Sequence, residues 1–540
     1  MLLIKNLNLF VTFVQESILG FISINFFKMQ ITYDVIIIGT GAGGGTMAHT
    51  LADSGKNILV LERGTFLPRE KENWDTDAVF NQERYHTKEV WKTEGDKDLH
   101  PGTGYWVGGN TKVYGAALFR LRERDFETVQ HAGGVSPEWP LKYADLEPFY
   151  ARAEKLFDVH GEMGIDPTEP HRTDNFPYTK ISNEPRIQEV SDQLKGLGLR
   201  PFAIPMGIKL NESDPLNSPC IRCNTCDGFP CMIHAKADSD INAIRPVMNQ
   251  SNITLLTEAK VEKLITNAEG TKIIGVETSL KNESIIFSAS IIILAAGAAN
   301  SAAILLKSAN DKHPNGLANA SDQVGRNFMK HQNAAMLGIS LKKNPSVFQK
   351  TFAITDYYFG DTDYKFPMGC IQLMGKSNKT MLASSAPFFT PDLVLEEMAE
   401  HAVDWWFTGE DLPDANNRVQ VIDGTIHLDY TDNNTEGFDL LIDRWKNVLR
   451  KIDDGASFFH HGVYLRKKIP LSGIAHQCGT LRFGNDPKTS VLDVNCKAHE
   501  LDNLYVVDSS FFPSSGAVNP SLTIIANSIR VGEHLKTVLA

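Results

Sequence analysis

Residues 33–64 read YDVIIIGTGAGGGTMAHTLADSGKNILVLERG. Val35 to Ile38 is a short apolar run rich in β-branched residues, the pattern of a strand buried on both faces. Gly39, Gly41 and Gly44 follow in a G-x-G-x-x-G arrangement. From Gly43 to Ser54 the spacing is helical, with Met47 and Leu51, and Ala48 and Ala52, as i, i+4 pairs. Gly55 predicts a helix stop, Ile58 to Leu61 a second buried strand, and Glu62 ends that strand.

Each residue type has a physical task in this pattern. Gly39 allows the tight turn, Gly41 lets backbone approach a pyrophosphate, and Gly44 lets the helix pack close to the strand. The helix N-terminus offers free N–H groups and partial positive charge to phosphates. Glu62 sits where a carboxylate accepts hydrogen bonds from a ribose. Glycines alone would be a weak signal; strand, helix, strand and acid at matching offsets supply the context that confirms it.

Working outward, the 540 residues suggest two or more domains, or one large domain with insertions. The net charge of -12 argues against nucleic acid as a partner. Residues 1–28 are apolar but broken by Asn6, Asn8, Gln15, Glu16 and Asn25. They lack the clean run and cleavage site of a signal peptide. The polar breaks also count against a transmembrane helix, and no twin-arginine pair is present. They read as an extension outside the fold, with a possible start at Met29. The expectation is a cytoplasmic protein without a transmembrane segment.

Five glycines between Gly102 and Gly115 call for backbone freedom or close approach to a flat ligand. A helix is expected from Leu146 to Phe157. Residues 160–219 read as loop-rich. Ile253 to Leu256, Ala259 to Leu264 and Ile273 to Val276 read as strands, with a turn at Glu269-Gly270. Ile291 to Ala296 is a further buried strand, stopped by Gly297. Asn300 or Ser301 can cap the helix after it, giving a second strand–turn–helix unit that joins the first sheet. Residues 336–471 suggest an antiparallel sheet with one wet face, with Arg418 to Ile422 and Thr425 to Leu428 joined by an Asp423-Gly424 hairpin. Near the end, Leu504 to Val507 is a strand closed by Asp508, and Asn519-Pro520 opens a helix from Ser521 to Leu535.

Several stretches together resemble the glucose-methanol-choline (GMC) flavin oxidoreductases. They are Gly39 to Glu62, VGGNTKVYGAALFR at 107–120, GAANSAAILLKS at 297–308, VGRNFMKH at 324–331, LPDANNRV at 412–419, HQCGTLRFG at 476–484, and YVVDSSFFPSSGAVNPSLTIIANSI at 505–529. The resemblance runs over nearly the whole chain from Tyr33. It implies an α/β protein, α+β overall: a Rossmann-like FAD-binding domain built from discontinuous segments, and a substrate domain whose antiparallel sheet roofs the flavin. The expected division gives residues 29–130, 238–335 and 472–540 to FAD, and 131–237 and 336–471 to substrate. Gly39, Gly41, Gly44, Glu62, Gly108, Gly109, Asn110, Val261, Gly297, Asp508 and Pro520 are the cofactor-binding residues it implies. Some relatives link the flavin covalently to a histidine; Val113 stands at the matching position, so the FAD is expected to be non-covalent.

Oxidising an alcohol removes a hydride from carbon and a proton from oxygen. Flavin takes the hydride, and near neutral pH histidine is the natural base for the proton. By resemblance the base is His476, with Asn519 as its partner across the substrate oxygen. Asn519 also sits where a helix cap belongs, and one side chain cannot do both. The helix behind it would turn its N-terminus toward the flavin pyrimidine ring and stabilise negative charge there. The expected donor is a sugar, polyol, sterol or aliphatic alcohol, and a dehydrogenase is favoured over an oxidase. The electron acceptor is left open between a redox partner protein and a diffusible acceptor.

Cys220, Cys223, Cys226 and Cys231 are spaced C-x2-C-x2-C-x4-C. Three readings compete. An iron–sulfur cluster resembles how ferredoxins hold theirs, although their spacing is C-x2-C-x2-C-x3-C-P. A few relatives that pass electrons to a cytochrome carry a cluster in a comparable insertion. A zinc site would normally separate its knuckles by a longer loop. The third reading is a metal-free loop near the flavin, again followed by Ala-Lys as in many relatives, with one disulfide at most.

Overall fold

The computed structural model describes residues 31–540 except 385, 388, 453–464 and 474–475. The expected extension at residues 1–28 therefore lies outside the described residues. Everything that positions the site follows from two sheets.

The first sheet has seven strands. Ile253–Leu256, Ile58–Leu61, Ile31–Ile38, Glu283–Leu294 and Leu504–Val506 pair in parallel. Ala259–Thr266 and Ile273–Leu280 add an antiparallel edge. Central strands of a parallel sheet are covered on both faces, so they carry continuous apolar runs rather than alternation. Val35, Ile36, Ile37, Leu59 and Ile293 are accordingly fully buried. The helices Ala42–Leu51 and Ser521–Leu539 pack against one another beside the sheet. The carboxyl ends of four parallel strands come out at one edge. There the chain turns at Gly39, Glu62, Ala295–Gly297 and Asp508. Ligands of open α/β sheets bind at this edge.

Gly39 has φ +99, and a Cβ there would fall 2.4 Å from the Ala295 carbonyl oxygen. At Gly44 a Cβ would fall 2.0 Å from the Gly39 carbonyl oxygen. Turn and close packing are thus what these two positions require.

The second sheet is fully antiparallel, in the order Leu465–Lys468, Gln332–Ile339, Ala402–Gly409, Cys370–Leu373, Phe352–Ile354, Phe202–Ala203. Its side chains alternate between faces. Ala334, Met336, Ile371, Leu373, Val403, Trp405 and Phe407 form a core with the helices Pro185–Gly196 and Thr435–Ile452. Asn333, Gln372 and Trp406, one residue out of step, belong to the opposite face. That face looks onto the site rather than onto solvent.

Three sequence expectations change. The helix expected from Asn300 or Ser301 begins at Ala298, with Gly297 at φ +89 as its cap. The Ser301 hydroxyl bonds Asp508 instead, and accepts from the Ala296 N–H. The hairpin Arg418–Ile422/Thr425–Asp429 forms around Asp423 and Gly424, both at positive φ, but it does not join the antiparallel roof. It pairs with Trp91–Thr93 and Lys97–Leu99, and its Val419, Ile426 and Leu428 enter the core of the first sheet. The stretch 160–219 holds the helix Pro185–Gly196, whose Ile187, Val190 and Leu194 are spaced for one buried face. Among the described residues no helix is long and apolar enough to cross a membrane.

Candidate active site

A cavity of about 520 Å³ lies between the carboxyl edge of the first sheet and the inner face of the second. Of the residues expected to bind cofactor, Gly39, Gly41, Glu62, Gly109, Asn110, Val261, Gly297, Asp508 and Pro520 line it, as does Val113. Gly44 and Gly108 stand behind the wall. Gly108 donates its N–H to the Thr40 hydroxyl at 3.1 Å, so its part is to hold the turn.

Glu62 is buried and accepts from the Thr40 N–H (3.0 Å), the Thr40 hydroxyl (2.6 Å) and the Gly64 N–H (2.9 Å). Burial raises its pKa, and these three donors oppose the rise. A carboxylate has about four acceptor positions, so one remains for a ligand hydroxyl. Asp508 accepts from the Gly297 N–H (2.9 Å), the Ser510 N–H (2.9 Å) and the hydroxyls of Ser301 and Ser510. Its oxygens are committed to protein donors, so it sets the shape of the edge. At Gly41 a Cβ would meet nothing within 4 Å, which leaves its backbone open to the cavity. An open glycine backbone, a helix N-terminus and an acid with one free acceptor position fit an adenine dinucleotide.

His476 and Asn519 line the same cavity. His476 is half-buried, and its Nδ1 lies 2.9 Å from Nδ1 of His331. The Trp406 ring packs on it with centroids 5.4 Å apart. Burial, then His331 and Lys350, hold the His476 imidazole well below its ordinary pKa. Asn519 does not cap the final helix: the cap residue is Pro520, and no side chain bonds the helix N-terminus. The Asn519 Oδ1 instead accepts from Gln372 Nε2 at 2.8 Å. Between the two readings of Asn519, the cap is ruled out by this bond, which leaves the amide nitrogen uncommitted. The preceding loop is pinned by the Thr408 hydroxyl on the Ala517 carbonyl (2.7 Å) and the Ala517 N–H on the Tyr358 hydroxyl (2.8 Å).

The four clustered cysteines do not line the cavity, though Asp227 and Gly228 between them do. All four are free thiols. Among the described residues no three His, Cys, Asp or Glu side chains are grouped to hold a metal ion. Burial pushes the thiols of Cys220 and Cys226 up to about 11 and about 12. Cys223 accepts from the Thr225 hydroxyl and Cys231 from the Ala235 N–H, each at 3.3 Å. The expected metal set is thus not assembled, and neither is a disulfide. What organises the loop is Lys236. Its buried ammonium donates to the carbonyls of Tyr114 (2.8 Å), Cys226 (2.6 Å) and Phe229 (2.8 Å). Asp227 is anchored by Lys350 at 2.6 Å.

Sequence reasoning missed His331, Gln372 and Lys350. His331 ended a quoted motif, Val324 to His331, but nothing local marked it. Gln372 and Lys350 carry no local signal.

A glycine turn at the carboxyl edge of a largely parallel sheet, roofed by an antiparallel one, defines an FAD-binding oxidoreductase fold. The chain matches the GMC oxidoreductase family over residues 33–333 and again over 456–528, and it belongs to that family. It is 29% identical over 523 residues to paromamine 6'-oxidase of Streptomyces fradiae, covering 92% of this chain and 90% of that one. It is 25% identical over 540 residues to 2-methyl-1,2-propanediol dehydrogenase of Mycolicibacterium austroafricanum, covering 93% and 95%. Among solved structures, pyridoxine 4-oxidase from Mesorbium loti shares the fold with a TM-score of 0.62 at 17% identity, covering 93% and 98%. Membership makes the chain an oxidoreductase acting on CH–OH groups and implies FAD; its relatives include both oxidases and dehydrogenases.

Proposed function

We propose that this chain oxidises an alcohol to a carbonyl, with His476 taking the hydroxyl proton and Asn519 holding the substrate oxygen. The observation that carries this is that both residues line the cavity formed by the dinucleotide-type turn at Gly39–Gly41. FAD, when bound, supplies the hydride acceptor. Gly41, Gly109 and Asn110 would hold it, with Glu62 at its ribose. Val113 in the cavity wall has no nucleophile to offer, so the FAD is non-covalent and acid precipitation releases it into the supernatant. Cofactor binding falls to residues 29–130, 238–335 and 472–540, and substrate enclosure to 131–237 and 336–471 apart from the hairpin at 418–429.

The amide of Asn519, with Oδ1 taken by Gln372, presents an N–H to the substrate oxygen. The half-buried His476 ring is neutral near pH 7, so it can accept a proton there. Trp406 and Asn333 offer the substrate an apolar face and a polar edge. With relatives named for an amino sugar and a diol, polyhydroxylated alcohols are the class to screen first.

The test is anaerobic bleaching of the flavin by such alcohols. His476→Ala should slow bleaching by about 10²–10⁴-fold while FAD content stays the same. An unchanged rate would sink the assignment of the base. Oxygen uptake measured against dye reduction on one preparation assigns the chain as oxidase or dehydrogenase. Passage of electrons through a cluster at Cys220–Cys231 would require iron and acid-labile sulfide. Assay of both on anaerobically purified protein decides between that route and direct transfer to an acceptor.

A further inference from the structure

His331 and His476 are 145 residues apart in sequence and meet edge-on, with ring centroids 4.9 Å apart and planes at 84°. His331 is 1% exposed. Its Nε2 faces the Ser515 carbonyl oxygen at 3.3 Å, and its Nδ1 faces His476 Nδ1 at 2.9 Å. A carbonyl oxygen only accepts, so His331 carries its proton on Nε2. A neutral imidazole has one N–H, which leaves His331 Nδ1 as a bare acceptor. The nitrogen facing it must then be the donor. His476 is therefore protonated on Nδ1, and its Nε2 holds the free lone pair.

We propose that His331 is a positioning residue that locks His476 into the Nδ1–H tautomer and so makes Nε2 the proton-accepting atom. This rests on the reading of His476 as the base. The Ser515 carbonyl belongs to the loop that also carries Asn519, so one backbone segment fixes both the tautomer and the partner amide.

The surroundings keep both rings neutral, so the tautomer rather than the charge is what must be set. Burial holds His331 down at about 4; Glu410 and the backbone of Ser515 and Gly516 oppose this, and Lys330 adds to it. Lys350 faces His476. The strand Ala402–Gly409 contributes Trp406 to the pair, and the Asn333 amide holds the His331 carbonyl at 2.7 Å. A protonated His331 would donate from both nitrogens and turn His476 to the Nε2–H tautomer, so it is the neutral His331 that sets Nδ1–H on its partner.

The first measurement uses the unaltered holoenzyme labelled with ¹⁵N-histidine. Long-range ¹H–¹⁵N correlations should show His476, identified by its loss in His476→Ala, as the Nδ1–H tautomer. An Nε2–H tautomer there overturns the proposal whatever any variant does. The second compares two variants at equal FAD content. His331→Leu removes the acceptor and should slow anaerobic flavin reduction by about 10–100-fold, chiefly in the limiting rate rather than in the substrate concentration at half-maximum. It should also replace the Nδ1–H signature by a mixed or Nε2–H one. His331→Asn restores a side-chain acceptor and should recover both the signature and most of the rate. Equal loss in both variants, or no loss in His331→Leu, refutes the positioning role. If His476→Ala keeps its rate, the base assignment fails on its own, and the tautomer measurement still stands.

Discussion

Replacing Gly41 and Gly44 by alanine one at a time separates a glycine that serves the ligand from one that serves the fold. In Gly44→Ala the new methyl would lie 2.0 Å from the Gly39 carbonyl oxygen and 3.1 Å from the Ala295 methyl. A carbon normally sits about 3.3 Å from such an oxygen, so the helix Ala42–Leu51 must retreat by about 1.3 Å. The oxygen cannot easily yield, because the Gly39 N–H is bonded to Leu61 at 2.8 Å and its φ is +99. Overpacking of this kind costs about 1–3 kcal/mol. It should appear in the apoprotein as a lowered melting temperature. In Gly41→Ala the methyl meets no protein atom within 4 Å, and φ of -63 suits alanine. Only the cap preference is lost, less than about 1 kcal/mol. The methyl does occupy the approach to the pyrophosphate. A misfit of about 1–3 kcal/mol there lowers FAD affinity by about 10–100-fold. The assay is thermal unfolding of both apoproteins together with FAD titration followed by flavin fluorescence. Wild-type FAD affinity in Gly41→Ala, or wild-type stability in Gly44→Ala, would refute the reasoning for that glycine.

Gln372→Leu strips the Asn519 carbonyl of its donor, and an unpaired buried acceptor costs about 1–3 kcal/mol; flavin reduction should slow about tenfold with FAD content intact, and an unchanged rate means Asn519 needs no such support. Asp125 and Asp411 are pushed up to about 7, by burial first in each case, against 3.8 when unfolded. The folded state therefore binds more protons between those values, so this share of stability is complete below about 3.8 and is lost as pH rises through about 7. Melting temperature should fall over that window and flatten in Asp411→Asn; a wild-type profile unchanged in slope by the substitution contradicts it. Lys236→Met removes the ammonium from three carbonyls, each charged hydrogen bond contributing about 1.5–3 kcal/mol. Limited proteolysis should then cut within 211–234, and resistance equal to wild type would show the loop is held by other contacts.

The local elements were legible in the sequence because their causes are local. Burial on both faces writes continuous β-branched runs at Val35–Ile38 and Ile58–Leu61, and both strands form with those residues. Asp423-Gly424 fixes a hairpin because two adjacent residues must take positive φ, and they do. The helix Thr435–Ile452 went unread inside a stretch that suggests an antiparallel sheet, although Phe438, Leu441, Ile442, Trp445 and Leu449 recur at helical spacing and are buried. Tertiary structure decided which partners those elements meet. The hairpin signal at 423–424 carries no information about a third strand, and it is Trp91–Thr93 that draws it away from the roof sheet. An Asn before a helix is capped or uncapped according to what approaches it, and Gln372 approaches from 147 residues away. His331 and His476 meet for the same reason, because the roof strand and the C-terminal segment converge over one cavity. A residue's intrinsic preferences act on neighbours within a few positions; a hydrogen bond between distant side chains exists only once sheet register has placed both, and register is set by burial summed over whole strands.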